Sequence, residues 1–461
     1  MTHATLGAIS PLDGRYRAAL ASVSEGWSEG ALIRARIQVE AQWVRFLYLH
    51  VPNLFRGQSF DPDALLSPQY QSETALTRVK ALERETGHDV KAVEYYLREV
   101  WLEDGFPSQV LALLHFGLTS EDVNNLAYAK LLCQFRTDQL LPMMDQVCGA
   151  LTEKAALYKR VAMLSRTHGQ SASPTTMGKA LVVYAHRLQR QRNQLANLEI
   201  LGKLNGAVGD YHGLALAVPE ENWRELTHHF ITDTLGLTQN PWTTQIESHD
   251  NLIEHLDGLK RYNMISLDFC QNLWWYISLG YFSQRVKDTE VGSSVMPHKV
   301  NPIDFENAEG NFGLSSSLVE HMGRKLPVSR LQRDLSDSTT LRNLGAVFAH
   351  HMLAQQSLLK GLDKLQLNPA GIQADLEGKW EILGEALQTC LRQEGVVDAY
   401  ERVKEWTRGK GSCTQVDFQG WVRSCKELSA ETQARLLALT PATYTGEASQ
   451  LVEDFLLLRP R

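Results

Sequence analysis

The run Gly292-Ser-Ser-Val-Met-Pro-His-Lys-Val-Asn-Pro302 gathers reactive side chains on a segment that two prolines keep out of a regular helix. Ser293 and Ser294 follow a glycine, and Lys299 and Asn301 lie on the same stretch. A serine hydroxyl is a poor base on its own. Cations, backbone N–H groups and exclusion of water stabilise the alkoxide it must become. Four other polar segments interrupt the apolar periodicity: Ser10–Tyr16, Thr86–Val90, Leu118–Asn125 and Ser165–Pro174. Positioned loops of this kind carry much of protein chemistry. A sixth feature is charge. Residues 324–342 hold Arg324, Lys325, Arg330, Arg333 and Arg342 against Asp334 and Asp337, a local +3 in a chain of net −7. Arginine forks suit carboxylates and phosphates.

By residue type alone, each segment also has a structural reading. Ser10-Pro-Leu-Asp-Gly14 fits a turn. Thr119 and Ser120, followed by Glu121 and Asp122, fit a helix N-cap with an acidic first turn. His88 and His168 fit hydrogen-bonded structural histidines, and the arginine-rich stretch fits a solvated helix end. The pairs His228/His229, His350/His351 and His249/His255 lack metal-ligand spacing. Neither common glycine-rich phosphate loop occurs.

Long helices must position these segments. The chain has 461 residues and only 15 prolines, about 3% where about 5% is usual. No proline falls between Pro107 and Pro142, Pro174 and Pro219, Pro241 and Pro297, or Pro369 and Pro441. Residues 255–284 place apolar side chains at three- and four-residue steps on more than one side. Residues 175–203 and 342–366 read similarly, and strand signals are scarce. The expected fold is all-α: a helical domain at 1–107, a central long-helix bundle at 108–366 that assembles with other subunits, and a helical domain at 367–461. The acidic balance argues against general nucleic-acid binding. No apolar stretch reaches transmembrane length, and the N-terminus lacks signal-peptide character. Six cysteines without a C-x-x-C pair fit a reducing compartment. A soluble, cytoplasmic protein is expected.

Taken together, the segments resemble the fumarase/aspartase superfamily, whose signature loop G-S-x-x-M-x-x-K-x-N matches residues 292–301 in register. Within it the chain is most similar to the adenylosuccinate lyase family in its bacterial long form. His298, Ser10–Tyr16, Gly87–Tyr95, Thr119–Asn125, Ser165–Thr176 and Gln332–Asn343 carry that similarity. The resemblance implies β-elimination of fumarate from adenylosuccinate, giving AMP, and the parallel cleavage of the succinylated carboxamide ribotide SAICAR. It implies Ser293 as base and His168 as acid, with Ser294 a substrate contact and rival base. It places Gly87, His88 and Asp89 at the substrate. Arg15 and Tyr16 would hold the nucleotide phosphate with Arg333, Ser338 and Arg342. Thr119, Ser120, Gln245, Lys299 and Asn301 would bind the succinyl carboxylates or neighbouring groups. Gly87 departs from the asparagine common at that place, which puts a side-chain contact in doubt. A homotetramer with each active site built from three subunits is implied, with nucleotide-sized substrates and no metal or organic cofactor.

Three alternatives remain at this point: another fumarate-releasing lyase such as argininosuccinate lyase, a helical scaffold without activity, and a metal-dependent hydrolase. His298 and the N-terminal segments weigh against the first, the intact reactive set against the second, and the missing ligand spacing against the third.

Overall fold

Side-chain caps set where the helices near the cavity begin. The computed structural model describes residues 6–285, 296, 299–408 and 413–458. Helix α1 (Glu29–His50) starts where Ser28 accepts a hydrogen bond from the Ala31 N–H. Helix α2 (Glu73–Thr86) starts at Ser72 and stops at Gly87, which takes the left-handed conformation that ends many helices. Helix α3 (Asp89–Glu103) begins at once, with His88 Nδ1 accepting from the Lys91 N–H at 3.2 Å. Helix α4 (Ser120–Phe135) begins at Thr119, whose N–H donates to Asp122 Oδ2 at 2.8 Å.

Two of the proline-free gaps hold long helices, and two more long helices lie between Pro302 and Pro369 on either side of Pro327. Helix α5 (Met177–Asn197), α6 (Asp250–Ser278, 29 residues), α7 (Ile303–Lys325) and α8 (Leu344–Lys364) follow in order. The periodic run read at 255–284 ends earlier than its pattern suggests. Gly280 adopts φ 75° and breaks the helix after Ser278. The gap after Pro369 differs. Among the described residues it holds five α-helices of at most ten residues and a 3-10 turn, separated by positive-φ residues at Gly378 and Gly395 and by non-helical stretches. Absence of proline permits a long helix without requiring one. The Gly409–Gly411 turn lies outside the described residues.

The fold is mostly helical, as the periodicity indicates, with three two-stranded sheets added among the described residues. The largest is an antiparallel hairpin, β1 (Ala162–Thr167) with β2 (Gln170–Thr176), where the sequence reads only as a polar interruption. Thr167 faces Gln170, so His168 and Gly169 form the two-residue turn, at φ 54° and 73°. Two left-handed residues in succession are what a type I′ turn requires. Strands β3 (Leu201–Gly202) and β4 (Thr238–Gln239) pair in parallel, and β5 (Phe282–Gln284) pairs antiparallel with β6 (Leu365–Leu367).

The chain divides into two compact units: residues 1–144, 191–264 and 310–355 form one, and 145–190, 265–309 and 356–461 the other. Each of α5–α8 contributes residues to both. In the first unit α1 is buried on nearly every side, with Ile37, Val39, Trp43, Val44 and Leu47 almost wholly enclosed. In the second unit Leu383, Leu387, Leu391, Val403, Phe418 and Val422 form the core of the C-terminal segment. No helix among the described residues is long and apolar enough to cross a membrane.

Candidate active site

A cavity of about 540 Å³ in the first unit is walled by the ends of several helices. Nine residues singled out by sequence meet there: Gly87, His88, Asp89, Thr119, Ser120, Gln245, Arg333, Ser338 and Arg342. The N-termini of α3 and α4 both reach its wall, and helix N-termini favour anions. Three guanidinium groups line it, from Arg36, Arg333 and Arg342, and three carboxylates, from Glu83, Asp89 and Glu121. The +3 predicted for residues 324–342 is therefore not delivered whole. Arg324 pairs with Glu320 at 3.6 Å and Arg330 with Asp334 at 3.4 Å, and of the five cations in that stretch Arg333 and Arg342 line the cavity.

Asp89 links two of the arginines. Its Oδ2 lies 2.8 Å from Arg36 Nη2 and 3.3 Å from Arg342 Nη2. Burial pushes the Asp89 carboxyl up, but Arg36, the Val90 N–H and Arg342 outweigh it and hold the group below its ordinary value. Arg333 Nη2 lies 3.0 Å from Glu121 Oε1, and Arg333 also donates to Gln245 Oε1 at 3.2 Å and Ser338 Oγ at 3.3 Å. Behind it, Asp337 stands 3.8 Å from Arg333 and 3.5 Å from His249 Nε2. The guanidiniums are thus held ready by carboxylates, in a geometry where an incoming phosphate or carboxylate can exchange for them.

The wall also includes residues the sequence reading missed. Asn124 and Tyr128 follow the already named Ser120 at four-residue steps along one stripe of α4. That spacing was the available signal. Burial pushes the Tyr128 phenol up to about 12. Arg36 gave none, because it sits in an apolar run of α1 and is itself only 5% exposed. Beneath the wall, Asp122 and Lys203 form a fully buried ion pair at 2.8 Å. Asp122 also accepts from the N–H groups of Thr119, Asn205 and Gly206.

The other singled-out residues lie elsewhere. Arg15 and Tyr16 sit on the turn segment before α1, with the Arg15 guanidinium 5.7 Å from the Tyr16 ring centroid, and are not in the cavity wall. His168 is exposed at the tip of the hairpin in the second unit. The hairpin is tied down close to its turn by Arg166, which donates to Tyr281 Oη at 2.9 Å and Asp375 Oδ2 at 2.5 Å. Lys299 is exposed and Asn301 partly buried, both in the second unit. Ser293 and Ser294 lie outside the described residues. Among the described residues, no group of three or more His, Cys, Asp or Glu side chains is arranged to hold a metal ion.

The Lyase family model matches residues 68–313, and the Adenylosuccinate lyase C-terminal model matches residues 329–445. The adenylosuccinate lyase of Legionella pneumophila (strain Corby) is 47% identical over 463 residues, covering 99% of this chain and 100% of that one. The adenylosuccinate lyase of Escherichia coli (strain K12) is 43% identical over 461 residues, covering 98% of this chain and 100% of that one. The chain belongs to the adenylosuccinate lyase family. Two solved structures share its fold. A 3-carboxy-cis,cis-muconate lactonizing enzyme from Pseudomonas putida superposes with a TM-score of 0.75 at 18% identity, over 95% of this chain and 96% of that one. A fumarate lyase from Mesorhizobium sp. BNC1 gives 0.72 at 16% identity, over 95% and 98%.

Gly87, where this adenylosuccinate lyase family member departs from the expected asparagine, has a physical account. Its φ of 65° is the left-handed C-cap of α2, and a Cβ built there meets nothing within 4 Å. Asparagine tolerates that backbone and β-branched residues do not. Gly87→Asn is expected to leave thermal stability nearly unchanged, whereas Gly87→Val should cost about 1–2 kcal/mol. Equal melting temperatures for the two variants would contradict this account of the cap.

Proposed function

We propose that this protein is a carbon–nitrogen lyase of purine biosynthesis. It eliminates fumarate from adenylosuccinate to give AMP, and from SAICAR to give the corresponding carboxamide ribotide. The observation that carries the reading is full-length similarity to adenylosuccinate lyases at 43–47% identity, joined by the match to the Adenylosuccinate lyase C-terminal model.

The reaction needs a base, an acid and cations. A proton leaves the succinyl carbon beside one carboxylate, the C–N electron pair departs to nitrogen, and nitrogen takes up a proton. In our assignment Ser293, on the signature run, accepts the carbon-bound proton, and Ser294 is the rival for that role. His168, presented on a two-residue turn, donates to the leaving nitrogen. Lys299 and Asn301 bind the succinyl carboxylates with Thr119, Ser120 and Gln245, offsetting charge that builds on carboxylate oxygens in the transition state. Arg333, Ser338 and Arg342 take the nucleotide phosphate with Arg15 and Tyr16, while His88 and Asp89 border it. Opposed arginines and helix N-termini in the cavity wall support this division of labour.

The protein is further proposed to work as a cytoplasmic homotetramer, in which cavity, hairpin and signature run come from different subunits. Apolar side chains left exposed along α6 support this: Met264 is 49%, Trp274 38% and Trp275 59% exposed. Purified protein should release fumarate from adenylosuccinate and SAICAR, with kcat/KM on argininosuccinate lower by at least about 10⁴, as expected where polar groups would be left unpaired. Release from argininosuccinate alone would overturn the assignment.

A further inference from the structure

Glu40 and His115 form a titratable pair that the mechanism above does not use. Glu40 lies midway along α1, fully buried, and its Oε1 is 2.5 Å from His115 Nδ1. Its other oxygen, Oε2, is buried with no hydrogen-bond partner among the described residues. A buried carboxylate with one partner depends on that partner's charge. His115 itself holds φ 61°, in the left-handed region. The next residue is pinned to the same helix, since Trp43 Nε1 donates to the Phe116 carbonyl at 2.9 Å. Gly117, at φ 72°, packs so closely on Leu214 that a Cβ would fall 2.1 Å from its Cδ2. The turn then delivers Thr119 and Ser120 to the cavity wall. One turn earlier on α1, Arg36 holds Asp89 and Asn124 at 2.8 Å each, two more residues of that wall.

We propose that Glu40 and His115 are positioning residues: their ion pair sets the 115–118 turn, fixes Thr119 and Ser120 at the cavity wall, and ties substrate affinity to the pair's proton. The proposal rests on the reading that this cavity holds substrate.

Charged neighbours act on the pair from two packed helices. Glu94 on α3 is held between Lys91 at 2.7 Å and Arg98 at 2.6 Å. Asp122 on α4 is paired with Lys203 at 2.8 Å. Burial by itself pulls the His115 imidazole down, but Glu40 first, then Glu94 and Asp122, hold it above its ordinary value of 6.5. A histidine raised in the folded state contributes fully below its ordinary value, and that contribution is lost as pH rises through the folded one. The alkaline side should therefore show a rise in KM rather than a fall in kcat.

The experiment is steady-state kinetics on adenylosuccinate from about pH 6 to pH 9, the range histidine spans, with NMR titration of the His115 ring. Glu40→Gln keeps shape and an acceptor but no charge. His115→Asn tolerates the left-handed backbone. Both are expected to raise KM at neutral pH about tenfold, the scale of one charge-assisted hydrogen bond, with kcat within about threefold. Both should flatten the alkaline rise, whose midpoint in the unaltered protein should coincide with the His115 titration. Folded Glu40→Gln protein with unchanged KM and pH profile would overturn the proposal, as would a midpoint that differs from the ring's. Thr119→Val separates the two readings. If it raises KM while Glu40→Gln does not, positioning alone fails. If it leaves KM unchanged, the substrate reading of this wall fails and the proposal goes with it.

Discussion

Replacing Ser293 by alanine is expected to lower kcat on adenylosuccinate by about 10²–10⁴, the usual worth of a positioned general base, while substrate affinity stays near that of the unaltered protein. The reason is chemical. The proton to be removed sits on carbon, so its transfer is the difficult step, and a methyl group cannot accept it. In the proposed assignment binding rests on other groups, namely the arginines, hydroxyls and amide that line the cavity. A loss of kcat with little change in Kd, read by single-turnover kinetics and product-binding calorimetry, would separate the two. Ser294→Ala is the control: it should change KM more than kcat. If Ser294→Ala gives the large loss and Ser293→Ala the small one, the roles of the two serines exchange.

The second large effect is on stability. Lys203→Met should cost about 3–5 kcal/mol, because it strands the Asp122 carboxylate in a site where both side chains are fully buried. The remaining N–H donors from Thr119, Asn205 and Gly206 offset part of the charge. The double variant Asp122→Asn with Lys203→Met should recover much of the loss, since the stranded charge is gone. Denaturant unfolding of the single and double variants measures this coupling. A single variant within about 1 kcal/mol of the unaltered protein would mean the pair behaves as a surface salt bridge. Because Asp122 also receives the Thr119 N–H, the same substitution should loosen the start of α4 and raise KM.

The long helices were legible in the sequence because burial imposes a 3.6-residue rhythm. The runs at 175–203, 255–284 and 342–366 became α5, α6 and α8 with ends trimmed by local turns. The hairpin was not. Its strands carry Ser165, Arg166, Gln170 and Ser171, with no apolar alternation to betray them, and its pairing follows from backbone conformation at His168 and Gly169. Nine wall residues could be named from local motifs, yet Arg36 and Lys203 could not. Each sits amid mainly apolar or glycine-rich neighbours, and its partner lies far along the chain: Asp89 for Arg36, Asp122 for Lys203. Charge counted along residues 324–342 misled for the converse reason. Arg324 and Arg330 find acids four residues away on the same local segment, so linear charge overstates what a cavity receives.

The central claim is that this chain breaks the C–N bond of adenylosuccinate by elimination. Proton NMR of purified protein mixed with adenylosuccinate tests it most directly. The account predicts that the fumarate vinyl resonance and the AMP resonances grow together in equal amounts, and that the growth stops when Ser293 is alanine. AMP appearing with malate in place of fumarate, IMP appearing with aspartate, or no turnover by folded protein, would contradict it.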